Sequence, residues 1–93
     1  MKKNKKQTPK WFTGVVYHRG STVKNPFSGE ECKLNALELS IYDFIIGANM
    51  FLEQAFANKV EPNDKIERIT RDLYKGLDWF KVNNAKAYMI LLD

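Results

Sequence analysis

Between Leu37 and Ala55 the apolar positions recur at steps of three and four. Leu37, Ile41, Phe44, Ile45, Ala48, Phe51, Leu52 and Ala55 fall on one arc of a helix. The spacing predicts a helix from Asn35 to about Asn58 with that arc turned to the core. Its start is marked by a capping box in the Asn form, in which Asn35 accepts the amide of Glu38 and Glu38 reaches back to the amide of Asn35. Gly47 inside this helix costs up to ~1 kcal/mol relative to alanine, which suggests that a neighbouring backbone approaches closely there. In "NKVEPND" Pro62 cannot continue the helix, and Asp64 with Glu67 repeats the cap-and-reach-back pattern. A second helix follows from Asp64 to about Val82, with an inward stripe of Ile66, Ile69, Leu73, Leu77 and Phe80. After "VNN", Asn84 can cap a short last helix, "AKAYMILL", whose nearly all-round apolar character predicts that it is mostly buried. At that length a strand is the alternative.

Ahead of Asn35 the period changes. "WFTGVVYH" is aromatic and β-branched, which suits a pleated, half-buried strand, and it ends at "RGS". Thr22 to Lys24 reads as a second strand and "ECKL" as a third. Between them "NPFSGE" reads as a turn: Pro26 fixes φ, Asn25 can bond its own backbone and Gly29 can take positive φ. Phe27 alone has no structural task in this stretch, so it is either a plug over the open end of the core or an exposed contact. The fold class expected is α+β, a small N-terminal antiparallel hairpin or sheet followed by two antiparallel α-helices and a short C-terminal helix.

Charge divides the chain more sharply than composition does. Lys2, Lys3, Lys5, Lys6 and Lys10 stand in the first ten residues with no acid, whereas residues 35–93 carry seven bases against nine acids. The net charge of +4 is therefore the property of a basic tail, expected to be disordered over residues 1–10, on a near-neutral domain spanning 11–93. A domain of this size buries roughly 60–65% of the surface of its unfolded chain, which leaves little room for an enclosed active site. A hydrophobic content of 44% nevertheless supports a real core. The single cysteine, Cys32, cannot form an internal disulfide and fits a reducing cytoplasm. "TPKWFTGVVYH" lacks the apolar run of a signal peptide, and no stretch reaches the ~20 apolar residues of a spanning helix. A cytoplasmic location is the expectation.

Catalytic chemistry finds few candidates. His18 stands at a strand end beside Arg19 with no Ser, Cys or acid placed to relay a proton, and one His with one Cys cannot supply the four ligands of a structural zinc site. "GSTVK" lacks the spacing and second glycine of a phosphate-binding loop. Asp43, Glu53, Asp72 and Asp78 are spread over helix surfaces, and nothing in the chain points to a metal or cofactor. Surfaces are the better candidates. Opposite its core arc the first helix carries a second apolar row, Leu39, Tyr42, Ile46 and Met50, bordered by Glu38, Asp43, Asn49, Glu53 and Gln54. Such a row is covered by the sheet or serves as a homodimer seam or partner groove. Trp79 lies off the inward stripe of the second helix and either covers the last helix or stands exposed as a hot spot. The lysine arm suits nucleic acid, an anionic membrane surface or an acidic partner, although the body shows no basic helix face to dock in a groove.

The blocks "NPFSGEE", "YDFIIGA" and the terminal "AKAYMILLD" together resemble small uncharacterised proteins encoded by tailed bacteriophages, particularly those of marine bacteria. The matching blocks run through residues 25–48 and 85–93. The resemblance implies no established activity and no catalytic residues. It implies a site in the cytoplasm of an infected cell and a role in takeover, replication support or assembly. The function expected is a non-enzymatic interaction module acting on itself or on a host or phage protein through Leu39, Tyr42, Ile46, Met50, Trp79 and Phe27. The alternative is a nucleic-acid-binding accessory protein that uses Lys2, Lys3, Lys5, Lys6 and Lys10.

Overall fold

A two-stranded antiparallel sheet precedes two long helices and a short closing turn in the computed structural model, which describes residues 8–93. Strand β1 (Ser21–Lys24) pairs with β2 (Glu31–Leu34) in a register running from Ser21 opposite Leu34 to Lys24 opposite Glu31. Helix α1 spans Ala36–Ala57 and α2 spans Asp64–Asn83. One turn of α3 (Ala85–Ala87) then widens into a π-helical turn over Tyr88–Leu92. The fold is α+β, as the change of period along the chain predicts. Of the tail expected over residues 1–10, residues 1–7 with Lys2, Lys3, Lys5 and Lys6 lie outside the described residues.

The strand expected over "WFTGVVYH" does not form. Residues 11–18 run as irregular chain, because the apolar residues come in two runs, Trp11–Phe12 and Val15–Tyr17, instead of alternating between two faces. Phe12 is buried at 7% exposure, and its ring meets Trp11 and Phe44 edge-on at 5.9 and 6.0 Å, so this segment anchors on the helices. Beyond it, the Tyr17 amide donates to Ser40 Oγ at 2.8 Å, a single side-chain bond where a strand would make a ladder. At Gly20 the chain passes the Leu34–Asn35 backbone so closely that a Cβ would lie 2.8 Å from Asn35 Cα and would overlap the Leu34 carbonyl. Only glycine lets β1 begin there.

Helix α1 starts as expected. Asn35 Oδ1 accepts the Glu38 amide at 2.8 Å and Glu38 Oε1 accepts the Asn35 amide at 2.9 Å. Its inward residues Leu37, Ile41, Ile45, Ala48, Leu52 and Ala55 are buried with Ile66, Leu73 and Phe80 of α2, while Phe44 and Phe51 sit half-buried at the margins. The close approach between the helices is made at Gly76 and not at Gly47. A Cβ on Gly76 would lie 3.0 Å from Ile45 Cγ1, whereas one on Gly47 would meet nothing within 4 Å. The expectation for Gly47 is thus corrected: it faces outward, where no neighbour requires a glycine.

Helix α1 ends in a Schellman motif. Lys59 takes φ 57°, its amide donates to Phe56 O, and the Val60 amide donates to Ala55 O. Helix α2 is capped by Asn63 instead of the expected Asp64. The Asn63 backbone is extended and its Oδ1 accepts the Ile66 amide at 2.9 Å, which leaves Asp64 and Glu67 as acids of the first turn, favourable to the helix dipole. At the far end Asn84 Oδ1 accepts the Ala87 amide at 3.1 Å, so the closing segment is helical. It is less buried than its composition predicts: Ala87 is enclosed, Tyr88, Ile90, Leu91 and Leu92 are half-buried, and Met89 is 68% exposed.

The second oxygen of Glu38, Oε2, accepts from Asn84 Nδ2 at 3.0 Å, which ties the start of α1 to the end of α2. Replacing Glu38 with alanine removes an acceptor from both Asn35 and Asn84. It should lower folding stability by about 1–3 kcal/mol. Gln at this position keeps one acceptor and turns an amide toward the Asn84 amide, so it should fall between alanine and the wild type. Urea unfolding followed by circular dichroism measures both, and an alanine variant as stable as the wild type would refute the link.

Candidate functional site

The outer row of α1 is only partly covered. Leu39 and Tyr42 are half-buried against the core, whereas Ile46 is 37% and Met50 59% exposed. The sheet does not provide the missing cover, since the element contacts of β2 are with α1, α3 and the π turn and still leave those two side chains in solvent. Within Ala36–Ala57 the charged residues are Glu38, Asp43 and Glu53, with no lysine or arginine. Glu38 is buried in the cap, so Asp43 and Glu53 form the acidic margin of an apolar face. Gly47 sits beside it, exposed.

The irregular N-terminal segment borders this face. Tyr17 Oη donates to Asp43 Oδ2 at 2.7 Å, and the bond and the carboxylate charge together raise the Tyr17 phenol above its ordinary value. Tyr42 is raised too, first by burial and then by the same carboxylate. Val15 is 79% exposed, and Val16 and Tyr17 are each 39% exposed. These residues add apolar surface that the strand expectation assigned to a sheet.

Phe27 does not plug the core. It is 97% exposed at the tip of the hairpin, while the turn beneath it is held from several directions. Asn25 Oδ1 accepts the amides of Phe27 and Ser28 at 2.8 and 3.2 Å, and Asn25 Nδ2 donates to the Ile90 carbonyl at 2.8 Å. The Asn25 amide donates to Glu30 O, and the Gly29 amide, at φ +80°, donates to Asn25 O. An aromatic ring is thus presented on a fixed backbone, touching nothing of its own chain.

Trp79 is no free hot spot. It is half-buried with its ring edge-on to Phe80 at 5.2 Å. Lys10 is exposed and the other four lysines of the arm are outside the described residues. On α2, however, Arg68, Arg71 and Lys75 are exposed at a spacing of three and four, with no ion pair among the described residues. Asp64, Asp72 and Asp78 lie on the same side of α2, so the row is mixed in charge and makes no basic helix face.

The sequence also gave no sign of a crevice of about 270 Å³ where the C-terminus of α1 meets the N-terminus of α2. Phe51, Ala55, Val60 and Ile66 supply its apolar wall and Lys65 its one charge, with Lys65 Nζ lying 5.2 Å over the Phe51 ring. A wider hollow beside Gly20, Lys33 and Asn35 includes Glu38, but both Glu38 oxygens are already bonded within the fold. Among the described residues no group of three or more His, Cys, Asp and Glu is placed to hold a metal ion. No helix there is long and apolar enough to cross a membrane.

Because the Tyr17 phenol is raised by Asp43, the protonated form is the one the folded chain favours. The stability it contributes is complete below pH 10.0 and is lost as pH rises through the higher folded value. Unfolding midpoints taken across alkaline pH should fall for the wild type, and Tyr17→Phe should remove part of that fall. Identical pH profiles would dismiss the contact. No protein-family model, no curated protein and no solved structure matches this chain.

Proposed function

We propose that this protein is a non-enzymatic interaction module, an accessory protein of the phage type that docks through the outer row of α1 on itself or on a host or phage protein. One observation carries the proposal: Ile46 and Met50 stand 37% and 59% exposed on a 22-residue helix whose opposite side is filled. Methionine and large apolar side chains ringed by charge are the composition of protein interfaces, and Asp43 and Glu53 form the polar rim. The buried polar groups Glu38 and Ser40 are already engaged in the fold, so the chemistry this face offers is apolar contact. Replacing Ile46 and Met50 together with glutamate should keep the helical circular dichroism spectrum and cost about 1–2 kcal/mol of stability, because Met50 is 59% exposed but Ile46 only 37%. It should remove most of an association worth about 1.5–3 kcal/mol per buried side chain. Solution mass by light scattering at low and high salt, and retention of a bound partner, test this. Association unchanged in the double variant would overturn the proposal.

A second reading is a nucleic-acid-binding accessory protein that uses the lysine arm, of which Lys10 is exposed. Lys2, Lys3, Lys5, Lys6 and Lys10 carry five positive charges with no acid among them, the charge a nucleic-acid-binding accessory protein needs. Removing residues 1–10 should flatten the salt dependence of oligonucleotide binding by up to about 0.9 per lysine for duplex DNA. Fluorescence anisotropy over a salt series measures the slope, and an unchanged slope would rule the arm out.

A further inference from the structure

Phe27 and the α1–α2 crevice are left unfilled at opposite ends of α1. The hairpin joins the N-terminus of α1 through Asn35, and the crevice lies at its C-terminus, about 33 Å of helix away at ~1.5 Å per residue. The ring of one chain therefore cannot fill its own crevice. We propose that Phe27 of one copy inserts into the crevice of a second copy, so that the protein assembles head to tail. The inference rests on the reading of the protein as an interaction module, but it uses residues outside the outer row of α1.

Size and chemistry agree. An apolar cavity of roughly 150 Å³ takes a benzene molecule, so the crevice of about 270 Å³ admits a phenyl ring. Phe51, Ala55, Val60 and Ile66 offer it apolar walls, and Gln54, Asn58 and Asn63 line the rest. Around Phe27 Lys24 stands opposite Glu31 in the hairpin and Glu30 follows the turn, so the tip carries little net charge and the contact is an apolar one. The turn is already fixed by the bonds of Asn25, so docking orders little new backbone. One knob-in-hole contact leaves one knob and one hole open, so the copies either pair reciprocally in a twofold dimer or continue as a ring or chain.

The experiment uses the full chain and reads weight-average mass by light scattering up to about 1 mM, since a contact this small is weak. The wild type should grow in mass with concentration. Phe27→Ala, a change in a side chain that is 97% exposed, should weaken association by roughly thirtyfold or more without altering the circular dichroism spectrum. Val60→Glu, at a crevice residue that is 44% exposed, should do the same by putting a charge into the apolar wall that the ring meets. The deciding arm mixes the two variants. The Val60→Glu chain still carries the knob and the Phe27→Ala chain still carries the hole, so the mixture should form a heterodimer and stop there. A wild type that stays at 10.8 kDa throughout overturns the assembly. So does a Phe27→Ala chain that associates like the wild type. If that association is instead abolished by glutamate at Ile46 and Met50, the contact belongs to the outer row of α1, and the functional reading survives without head-to-tail assembly.

Discussion

One buried side chain connects the parts of this fold. Glu38 closes the capping box of α1 with one oxygen and holds the Asn84 side chain, 46 residues away, with the other. Asn84 in turn accepts the Ala87 amide, and its own amide donates to the Phe80 carbonyl. Three side chains thus set where α1 begins, where α2 ends and where the closing turn departs. Glu38 is 8% exposed, so its oxygens depend on protein donors, and each donor would be left without its acceptor if Glu38 were lost. The apolar contacts between α1 and α2 supply the bulk of the burial, with Gly76 seated closely on Ile45. The Glu38–Asn84 bond adds a polar tie at the end of the pair where α1 begins and α2 ends.

What could be read from the sequence is what local spacing controls. The capping box at Asn35, the inward arcs of both helices, the hairpin turn at Asn25–Glu30 and the cap at Asn84 all follow from residues a few positions apart. The Glu38–Asn84 bond could not be read, because nothing in the chain ties two positions so distant. The missing strand over residues 11–18 has the same cause. Aromatic and β-branched residues favour a ladder only where a partner strand exists, and here Trp11 and Phe12 gain more by packing on Phe44. The shift of the α2 cap from Asp64 to Asn63 is smaller in kind. Both residues are good caps, and the extended backbone after Pro62 gives the place to the earlier one.

The surfaces were legible as patterns but not as exposures. Periodicity put Leu39, Tyr42, Ile46 and Met50 on one side of α1, and the structure then divides them, half-burying the first pair and exposing the second. That division depends on where the N-terminal segment and the hairpin lie, which is tertiary. Whether Phe27 plugged the core or faced solvent depended likewise on the aim of the hairpin, set by the Asn25 bond to Ile90. The crevice was invisible for a further reason. It is the space left by the Lys59 Schellman turn and the Asn63 cap together, and neither motif alone predicts a gap.

The two exposed apolar features differ in what they would contribute to binding. The α1 row is broad, so its strength scales with the area a partner covers, and one methionine with flexible rotamers lets it adapt to different surfaces. Phe27 is one ring, yet every hydrogen-bonding group of Asn25 works to hold the turn beneath it. Ordering a free side chain on binding costs about 0.5–1.5 kcal/mol, and a fixed turn reduces the share that falls on the backbone. An apolar residue left in solvent adds nothing to the stability of a small domain with a limited core. An exposed ring on a turn held this way enters any contact with its backbone already in place.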